Sequence, residues 1–368
     1  MKVALVHDYL SQDGGAEKVL KALHEIWPDA PIFVLFHDAN KINYLDHEKI
    51  RTSFLNHFPF VNQIFQWYLP LMPLATERHQ LQGFDLVISS SSGFAKGVIT
   101  STDTLHIAYC HTPPRFLWGD GNNYLSDLKN NRLVKIILPL LTHRLRLWDQ
   151  LSTQRVDQFI ANSNTVKRRI EKYYRRPSQI IFPPVDTARF QIAPKVENYF
   201  VAGGRLVPYK RMDLIIKVFN RLGWPLKIFG TGSEYPHLKR IAKANIEFYG
   251  KISEEEKIKL LSEARAFIHP QKEDFGITPL EAMAAGRPII AFNQGGATET
   301  VIPNETGVFF SEQTWESLLH TLLNFDQTTF DSTKIRNHAQ SFSTDRFKTE
   351  MEKFVTEQYS KFKAARAG

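Results

Sequence analysis

Apolar residues along the chain follow two spacings, short β-branched runs and longer stretches in which they recur every three or four positions. Ala16, Val19, Leu20, Leu23 and Ile26 show the second spacing and predict a helix. The short runs predict strands, in chain order KVALVHDY, PIFVLF, FDLVISSS, LHIAYCH, QFIANS, QIIFPPV, NYFVAGGR, PLKIFG, IEFYG, AFIHP and RPIIAF. Strands alternating with helices predict an α/β fold with parallel, doubly wound sheets.

The length of 368 residues exceeds what one hydrophobic core usually supports, which favours two domains. A polar, proline-containing stretch at residues 186–198 interrupts the alternation, so we place an N-terminal domain at 1–190 and a C-terminal domain at 191–343. Residues 344–368 predict a helix that returns to the first domain. Two such domains, each Rossmann-like, are expected to face each other across a cleft at the carboxyl ends of their strands, where ligands bind.

Hydrophobic residues make up 43% of the chain and charged residues 23%, which is typical of a soluble globular protein. The first apolar run is too short for a secretory signal, and no run approaches the ~20 residues of a membrane span. The single cysteine, Cys110, excludes an internal disulfide and leaves too few thiols for a structural zinc site. These features predict a cytoplasmic protein.

The formal net charge of +8 suits three classes of partner: nucleic acid, an anionic membrane, or phosphorylated small molecules. The basic excess is concentrated at residues 129–176, which include Lys129, Arg132, Lys135, Arg144 and Arg146. Within it, LVKIILPLLTHRLRLW combines apolar and basic residues, which suits anionic lipid better than a nucleic-acid groove. A solvated helix face beside a buried one explains the same pattern equally well.

A glycine turn follows the first predicted strand and leads directly into the first predicted helix. Gly14 and Gly15 allow backbone amides to approach an anion at the helix N-terminus, although an ordinary strand-to-helix turn also explains them. The sequence there matches neither GxGxxG nor GxxxxGK[ST], which argues against a nicotinamide cofactor and against P-loop chemistry.

The second half of the chain has a similar turn, GGRLVPYKR, after the strand YFVAG. Arg205 offers a forked donor and Lys210 a point charge, a combination suited to a pyrophosphate. A solvated basic loop is the alternative.

Two glutamates lie eight positions apart in EDFGITPLE, with a glycine loop between them. Thr278, Pro279 and Glu281 fit the N-cap, first and third positions of a helix, so Glu281 has a structural explanation as part of a capping box. Glu273 begins the loop before that helix. A carboxylate beside free backbone amides suits the hydroxyl groups of a sugar.

This stretch resembles the E-x7-E signature of retaining glycosyltransferases with the GT-B architecture, family four. The resemblance extends over nearly the whole chain, through the segments DGGAEKV, CHTPPRFLW, FIANSNTVKRRIEKYY, FPPVDTARF, GGRLVPYKRMD, IFGTGSE, AMAAGRPIIAF and GGATETV. It implies two Rossmann-like domains and transfer of a sugar from a nucleotide donor.

The resemblance also implies roles for the residues of these turns. Gly14 and Gly15 would approach the donor phosphate or the acceptor, and Arg205 and Lys210 would neutralise the pyrophosphate. Glu281 would bind the ribose hydroxyls of the donor.

At the reaction centre, the resemblance gives catalytic roles to His111 and Glu273. His111 would reach the sugar from the first domain, and Glu273 would hold the transferred sugar with help from the amides of Phe275, Gly276 and Ile277. The segment at Lys251 and Ile252 would lie against the base.

The family mechanism implies retention by front-face attack, in which the leaving phosphate takes the acceptor proton, with neither a metal nor another cofactor. HTPPRFLWG together with EDFGI resembles bacterial O-antigen and exopolysaccharide mannosyltransferases, which suggests GDP-mannose as donor. A UDP-sugar donor is the main alternative, a GT-B epimerase or phosphorylase is a further one, and a non-catalytic nucleotide-sugar-binding module stands outside the enzymes.

The implied acceptor is a glycan on polyprenyl diphosphate at the inner face of the cytoplasmic membrane. Nucleic acid is not an expected partner. The aromatic residues 54–74 then suggest a loop that contacts the acceptor or the membrane, with core packing of a helix pair as the alternative.

Overall fold

The computed structural model describes residues 1–119 and 132–367, the side chains of 132–137 and 367 excepted. Lys129 and the side chains of Arg132 and Lys135, part of the basic segment, therefore lie outside the described residues. The chain forms two compact units, one of Met1–Pro183 with Phe347–Gly368 and one of Pro184–Arg346. Among the described helices, none combines the length and the apolar character needed to cross a bilayer.

The described part of the first unit contains a seven-stranded parallel sheet in the order β3-β2-β1-β4-β5-β6-β7. Its strands are β1 Val3–His7, β2 Ile32–Val34, β3 Ile50–Thr52, β4 Leu86–Ser91, β5 Leu105–Cys110, β6 Gln158–Ala161 and β7 Gln179–Ile180. Its helices are Gly15–Ile26, Val61–Ile64, Met72–Glu77, Arg115–Trp118, Arg132–Ser152, Asn164–Tyr174 and Thr344–Ala367. The strand order reverses between β1 and β4, which creates a switch point where open α/β sheets bind ligands.

The core of this unit explains why the helical spacing of the sequence forms helices. Val19, Leu20 and Leu23 of the Gly15–Ile26 helix are buried with the apolar strands β1 and β4. Phe347 and Met351 of the C-terminal helix belong to the same buried cluster. β1 and β4 are buried along their whole length, as expected of strands in a parallel sheet covered on both faces.

The second unit contains a six-stranded parallel sheet, within the described residues, in the order β10-β9-β8-β11-β12-β13. Its strands are β8 Phe200–Gly203, β9 Leu226–Phe229, β10 Ile246–Gly250, β11 Phe267–His269, β12 Ile289–Phe292 and β13 Gly307–Phe310. Its helices are Met212–Leu222, Tyr235–Ile241, Glu254–Ser262, Ile277–Ala284, Ala297–Thr300, Trp315–Leu323 and Ser332–Gln340. The switch point of this sheet lies between β8 and β11.

Each predicted apolar run contains a strand, and the predicted α/β class is confirmed. Two strands, β3 and β13, were not among the predicted runs. Both lie at an edge of their sheet. In β3, Ile50 is the buried residue and the apolar signal is weak, whereas β13, GVFF, is apolar and was missed in spite of that signal.

The predicted capping box at Thr278 is wrong. The helix begins at Ile277, with Gly276 as its N-cap at φ 94°, so Thr278 already lies inside the helix. A glycine adopts this left-handed conformation at little cost, and it ends the preceding loop before threonine can act as the cap. Glu281 directs its carboxylate to Lys257 instead.

The aromatic segment at residues 54–74 both packs and exposes apolar side chains. Leu55, Val61 and Leu69 are buried in one cluster with Leu145 of the Arg132–Ser152 helix. Exposed large apolar side chains surround that cluster on the same elements, namely Phe60, Ile64, Trp67, Leu74, Leu140, Leu147 and Leu151. The two alternatives left open for this segment, core packing and an exposed contact surface, therefore both describe part of it.

Candidate active site

His111 follows β5 directly, at the carboxyl edge of the first sheet. Its Nε2 lies 2.8 Å from the Ser90 hydroxyl, its backbone N–H donates to the Ser91 carbonyl, and Asn162 donates to its carbonyl oxygen at 2.9 Å. Burial and the neighbouring His7 lower the pKa of His111 to about 3, although Asp8 acts in the opposite direction. The imidazole is therefore neutral at ordinary pH, and it is held in place from both its ring and its backbone.

The glycine turn after β1 has one of its amides already engaged. The N–H of Gly14 donates to Oε2 of Glu17 at 2.9 Å, and Glu17 is buried, whereas Gly15 is exposed. The turn thus begins the Gly15–Ile26 helix with a carboxylate in its first turn, a favourable position at the positive end of the helix dipole.

In the second unit, the loops after β8 and β11 bring Lys210 and Glu273 together as an ion pair. Their side chains are 13% and 16% exposed, so water still reaches both. Arg205 of the same loop is exposed, and its guanidinium lies 3.4 Å from the Tyr209 hydroxyl. Lys210, one of the two cations predicted to bind a pyrophosphate, thus contacts the predicted sugar-binding carboxylate.

His269, the last residue of β11, lies beside this pair. It was not predicted from the sequence as a site residue. It is 1% exposed, and its Nε2 lies 3.8 Å from Oε2 of Glu273. Neither ring nitrogen has a hydrogen-bond partner among the residues that the structure describes. Burial, reinforced by Lys210, lowers the pKa of His269 to about 3. Its place at the carboxyl end of a strand is the sequence signal that would have identified it.

The loop between Glu273 and the Ile277–Ala284 helix depends on glycines. A Cβ on Gly276 would lie 3.5 Å from Oε2 of Glu273 and 3.6 Å from the His269 ring. A Cβ on Gly295, in the loop after β12, would lie 2.3 Å from the Glu273 carbonyl oxygen, which leaves no space for another residue. No side chain caps the helix at Gly276, whereas Phe275 is buried beside Phe342.

Glu281 is buried within the same helix, 3.2 Å from the ammonium nitrogen of Lys257. Lys257 also contacts the more exposed Glu254 at 2.9 Å. The predicted base-binding residue Ile252 is partly buried in the loop between β10 and the helix that carries Lys257. Lys257 compensates the buried charge of Glu281, a role that no local pattern in the sequence indicated.

Nowhere in residues 1–119 and 132–367 do three or more His, Cys, Asp or Glu side chains form a group able to hold a metal ion. The cations near Glu273 are side chains of the chain itself.

Two family models match consecutive parts of the chain. The model described as Glycosyltransferase Family 4 matches residues 13–189, and the model described as Glycosyl transferases group 1 matches residues 185–339. Together they span residues 13–339, which include both glycine turns, His111 and both glutamates. The chain belongs to the family 4 glycosyltransferases.

Several curated relatives are named as sugar transferases. The chain is 25% identical over 257 residues to the alpha-1,3/1,6-mannosyltransferase ALG2 of Dictyostelium discoideum, a match that covers 56% of this chain and 58% of that protein. It is 27% identical over 217 residues to the O-antigen chain mannosyltransferase RfbU of Salmonella typhimurium, covering 54% and 59%. The D-rhamnosyltransferase WbpZ of Pseudomonas aeruginosa is 26% identical over 207 residues, covering 50% and 52%. The chain thus spans a little over half of the length of these relatives.

Solved structures share the fold over nearly the full length. Anabaena Alr3699/HepE, crystallised with UDP, superposes with a TM-score of 0.71 at 14% identity, covering 97% of this chain and 100% of that one. The sucrose-phosphate synthase of Thermosynechococcus elongatus gives a TM-score of 0.73 at 16% identity, covering 98% and 100%. The predicted GT-B class, with two α/β domains, is confirmed.

Proposed function

We propose that this protein is a retaining glycosyltransferase that moves a hexose, mannose from GDP-mannose, onto a lipid-linked glycan in the synthesis of a surface polysaccharide. The observation that carries the proposal is the pairing of Lys210 with Glu273 at the switch point of the second sheet, with Arg205 on the same loop. The family membership and the relatives named as mannosyltransferases support it. A structural neighbour crystallised with UDP-glucose supports a nucleotide sugar as donor.

In this proposal, each charged group of the second unit meets one part of the donor. Arg205 and Lys210 neutralise the diphosphate, and Glu273 accepts hydrogen bonds from hydroxyls of the transferred sugar. The amides of Phe275, Gly276 and Ile277 help to orient the ring. Lys210 would exchange its contact with Glu273 for a contact with phosphate when the donor binds.

The nucleoside is held by residues further from the reacting bond. Glu281 accepts hydrogen bonds from the ribose hydroxyls, with Lys257 compensating its charge, and Ile252 packs against the base. The glycine turn of the first unit, at Gly14 and Gly15, lies close to the phosphates or the acceptor.

The reaction breaks the anomeric C–O bond to the diphosphate and forms a bond from the same face to an acceptor hydroxyl oxygen. The hydroxyl proton passes to the leaving phosphate oxygen, so no protein nucleophile is needed. Negative charge grows on the diphosphate, where fixed cations stabilise the transition state more than the ground state. We propose that Lys210 and Arg205 supply this stabilisation without a metal, while neutral His111 contacts the sugar by hydrogen bonds.

The acceptor side of the proposal places the first unit on an anionic membrane. Phe60, Trp67 and Leu74 are exposed on the aromatic segment, and Leu140 and Leu147 are exposed on the helix packed against it. Arg144 is exposed between these two leucines, whereas Arg146 donates to the Leu117 carbonyl and is less available to lipid. Exposed apolar side chains with a basic residue among them suit an interfacial contact with anionic lipid.

Donor turnover tests the enzyme proposal directly. The full chain is incubated with GDP-mannose, UDP-glucose and UDP-GlcNAc, with and without EDTA, and nucleotide release and transfer to a polyprenyl-diphosphate glycan are measured. We expect release with GDP-mannose, no effect of EDTA, and an α product, as determined by NMR. Glu273→Gln should abolish release, whereas the exposed Glu305→Gln should not. Binding of a nucleotide sugar without nucleotide release would indicate a binding module. Turnover of a UDP-sugar but not of GDP-mannose would show that the donor is that UDP-sugar.

Liposome flotation tests the membrane contact. We expect recovery with anionic vesicles to exceed recovery with zwitterionic ones and to fall in a Trp67→Ser, Leu140→Ser, Arg144→Gln variant. Leu323→Ser, which changes an equally exposed leucine of the second unit, is the matched control. Equal recovery of the wild type with both vesicle types would exclude an anionic-lipid contact.

A further inference from the structure

A line of buried polar side chains extends from His111 into the first unit, across the carboxyl ends of β5, β4 and β1. Nε2 of His111 lies 2.8 Å from the Ser90 hydroxyl, and the same hydroxyl lies 3.1 Å from Nδ1 of His7. Nε2 of His7 lies 3.8 Å from Oε1 of Glu17, whose Oε2 accepts the N–H of Gly14 at 2.9 Å. His7, Ser90 and Glu17 are all at most 3% exposed.

The carboxylate of Glu17, at the inner end of this line, determines which groups along it donate hydrogen bonds and which accept them. A carboxylate only accepts hydrogen bonds, so a neutral His7 is most stable with its proton on the Nε2 that faces Glu17. Its Nδ1 then accepts a hydrogen bond from the Ser90 hydroxyl. The Ser90 oxygen in turn accepts a hydrogen bond from the Nε2–H of His111.

The reversed arrangement is disfavoured by the same geometry. If Ser90 donated to His111, a neutral His7 would have to donate from Nδ1, and its Nε2 lone pair would face the Glu17 carboxylate at 3.8 Å. Two acceptors would then confront each other in a site without access to water, where an unpaired polar group is costly. The outer nitrogen of His111, Nδ1, makes no hydrogen bond to any residue in the described parts of the chain.

We infer that Glu17, His7 and Ser90 are positioning residues that hold the proton of neutral His111 on Nε2 and present its Nδ1 as a hydrogen-bond acceptor. The ligand group that binds Nδ1 of His111 is then a hydrogen-bond donor, such as a hydroxyl, and not a phosphate oxygen. Only the identification of this hydroxyl with one on the sugar donor or the acceptor rests on the proposed function. The lowered pKa of His111 agrees with a neutral ring.

Histidine tautomers can be read from the ring ¹⁵N signals, so the inference can be tested without any substrate. The full chain is labelled with ring-¹⁵N histidine, His7 and His111 are assigned by His7→Asn and His111→Asn, and spectra are recorded at pH 8.5. We expect a protonated Nε2 and a bare Nδ1 on both residues. Protonation of His111 at Nδ1, or of His7 at both nitrogens, would overturn the inference.

Glu17→Gln is the informative variant because the Gly14 amide fixes the orientation of the new side chain. The glutamine oxygen must accept from Gly14, which turns its NH₂ group towards His7 and reverses every hydrogen bond in the line. We expect the proton of His111 to move to Nδ1. Glu25→Gln, an exposed change on the same helix, should leave both tautomers unchanged. An unchanged His111 in a folded Glu17→Gln protein would contradict the assignment of Glu17.

Ser90→Ala provides a second test if Glu17→Gln does not fold. It separates His7 from His111, so His7 should keep its Nε2 proton while His111 shows a mixture of tautomers. A His111 spectrum identical to that of the wild type would overturn the role of Ser90. In turnover assays, both variants should lose roughly 2- to 10-fold in kcat/KM, the worth of one neutral hydrogen bond. The spectra need no nucleotide sugar. An error in the tautomer assignment would therefore appear in the spectra, whereas an error in the proposed glycosyltransferase activity would appear only in the turnover assays.

Discussion

Lys210 and Arg205 were both predicted to bind the pyrophosphate, yet the structure gives them different surroundings, and this difference predicts different mutant behaviour. Lys210 pairs with Glu273 in a site where the two side chains are only 13% and 16% exposed. Arg205 is exposed, and its guanidinium lies 3.4 Å from the Tyr209 hydroxyl. Lys210→Met and Arg205→Met remove one charge each while keeping an unbranched side chain.

The expected losses follow from these environments. Breaking a fully buried pair costs about 3–5 kcal/mol, and because water reaches Glu273 we expect about 1–3 kcal/mol of unfolding free energy for Lys210→Met. Arg205→Met should change stability by less than about 0.5 kcal/mol. For turnover, losing Lys210 should cost about 2.7–4 kcal/mol of transition-state stabilisation, or roughly 100- to 1000-fold in kcat. Arg205 should cost about 1.5–3 kcal/mol, the value for a hydrogen bond to a charged group.

Urea denaturation and nucleotide release from the preferred donor measure the two quantities on the same preparations. Lys239→Met, an exposed change in the same unit, controls for the loss of one positive charge. The reasoning is refuted if Arg205→Met is as unstable as Lys210→Met, or if Lys210→Met turns over donor at the rate of the control.

Three further predictions concern the groups around Glu273 and Glu281. Lys257→Met should lower the unfolding free energy by up to about 3–5 kcal/mol and weaken nucleotide binding in calorimetry, since it removes the ammonium that lies 3.2 Å from the buried carboxylate of Glu281, whereas the exposed Glu254→Gln should do neither. Gly276→Ala and Gly83→Ala should each lose about 1–2 kcal/mol in denaturation because both have positive φ, but only Gly276→Ala should slow turnover, since the strained residue lies in the loop that begins with Glu273. Burial lowers the pKa of His269 from 6.5 to about 3, so the unfolded chain takes up its proton first as pH falls, and stability present above pH 6.5 is lost towards pH 3. Between pH 7 and pH 5, the unfolding free energy of His269→Leu should therefore fall by about 2 kcal/mol less than that of the wild type. Urea denaturation at several pH values measures this, and an equal fall in both proteins would contradict it.

The sequence by itself determined the fold class and supplied the candidate residues of the site. Periodicity sets which residues can be buried together, so the continuous apolar runs identified the central strands of both sheets. Glycines at strand ends, the two loop cations and the paired glutamates marked the carboxyl ends of those strands. These features are local, and local backbone preference is enough to predict them.

Tertiary structure decided which of those groups meet. Lys210 and Glu273 are 63 positions apart, and His7 and Ser90 are 83 apart, so no spacing rule connects them. The capping pattern at Thr278 failed because the helix begins at Ile277, with Gly276 as its left-handed N-cap. Only the tertiary structure brings the ammonium of Lys257, on a neighbouring helix, to the buried carboxylate of Glu281.

The edge strand β3 and the line of polar side chains from Glu17 to His111 show most clearly what local sequence patterns do not predict. β3 pairs with its neighbour β2 although its own residues, Ile-Arg-Thr, carry little apolar signal. The direction of the line from Glu17 to His111 depends on which atoms face each other across three strands. A sequence specifies the side chains that can donate and accept, whereas the register of the sheet decides where each proton lies.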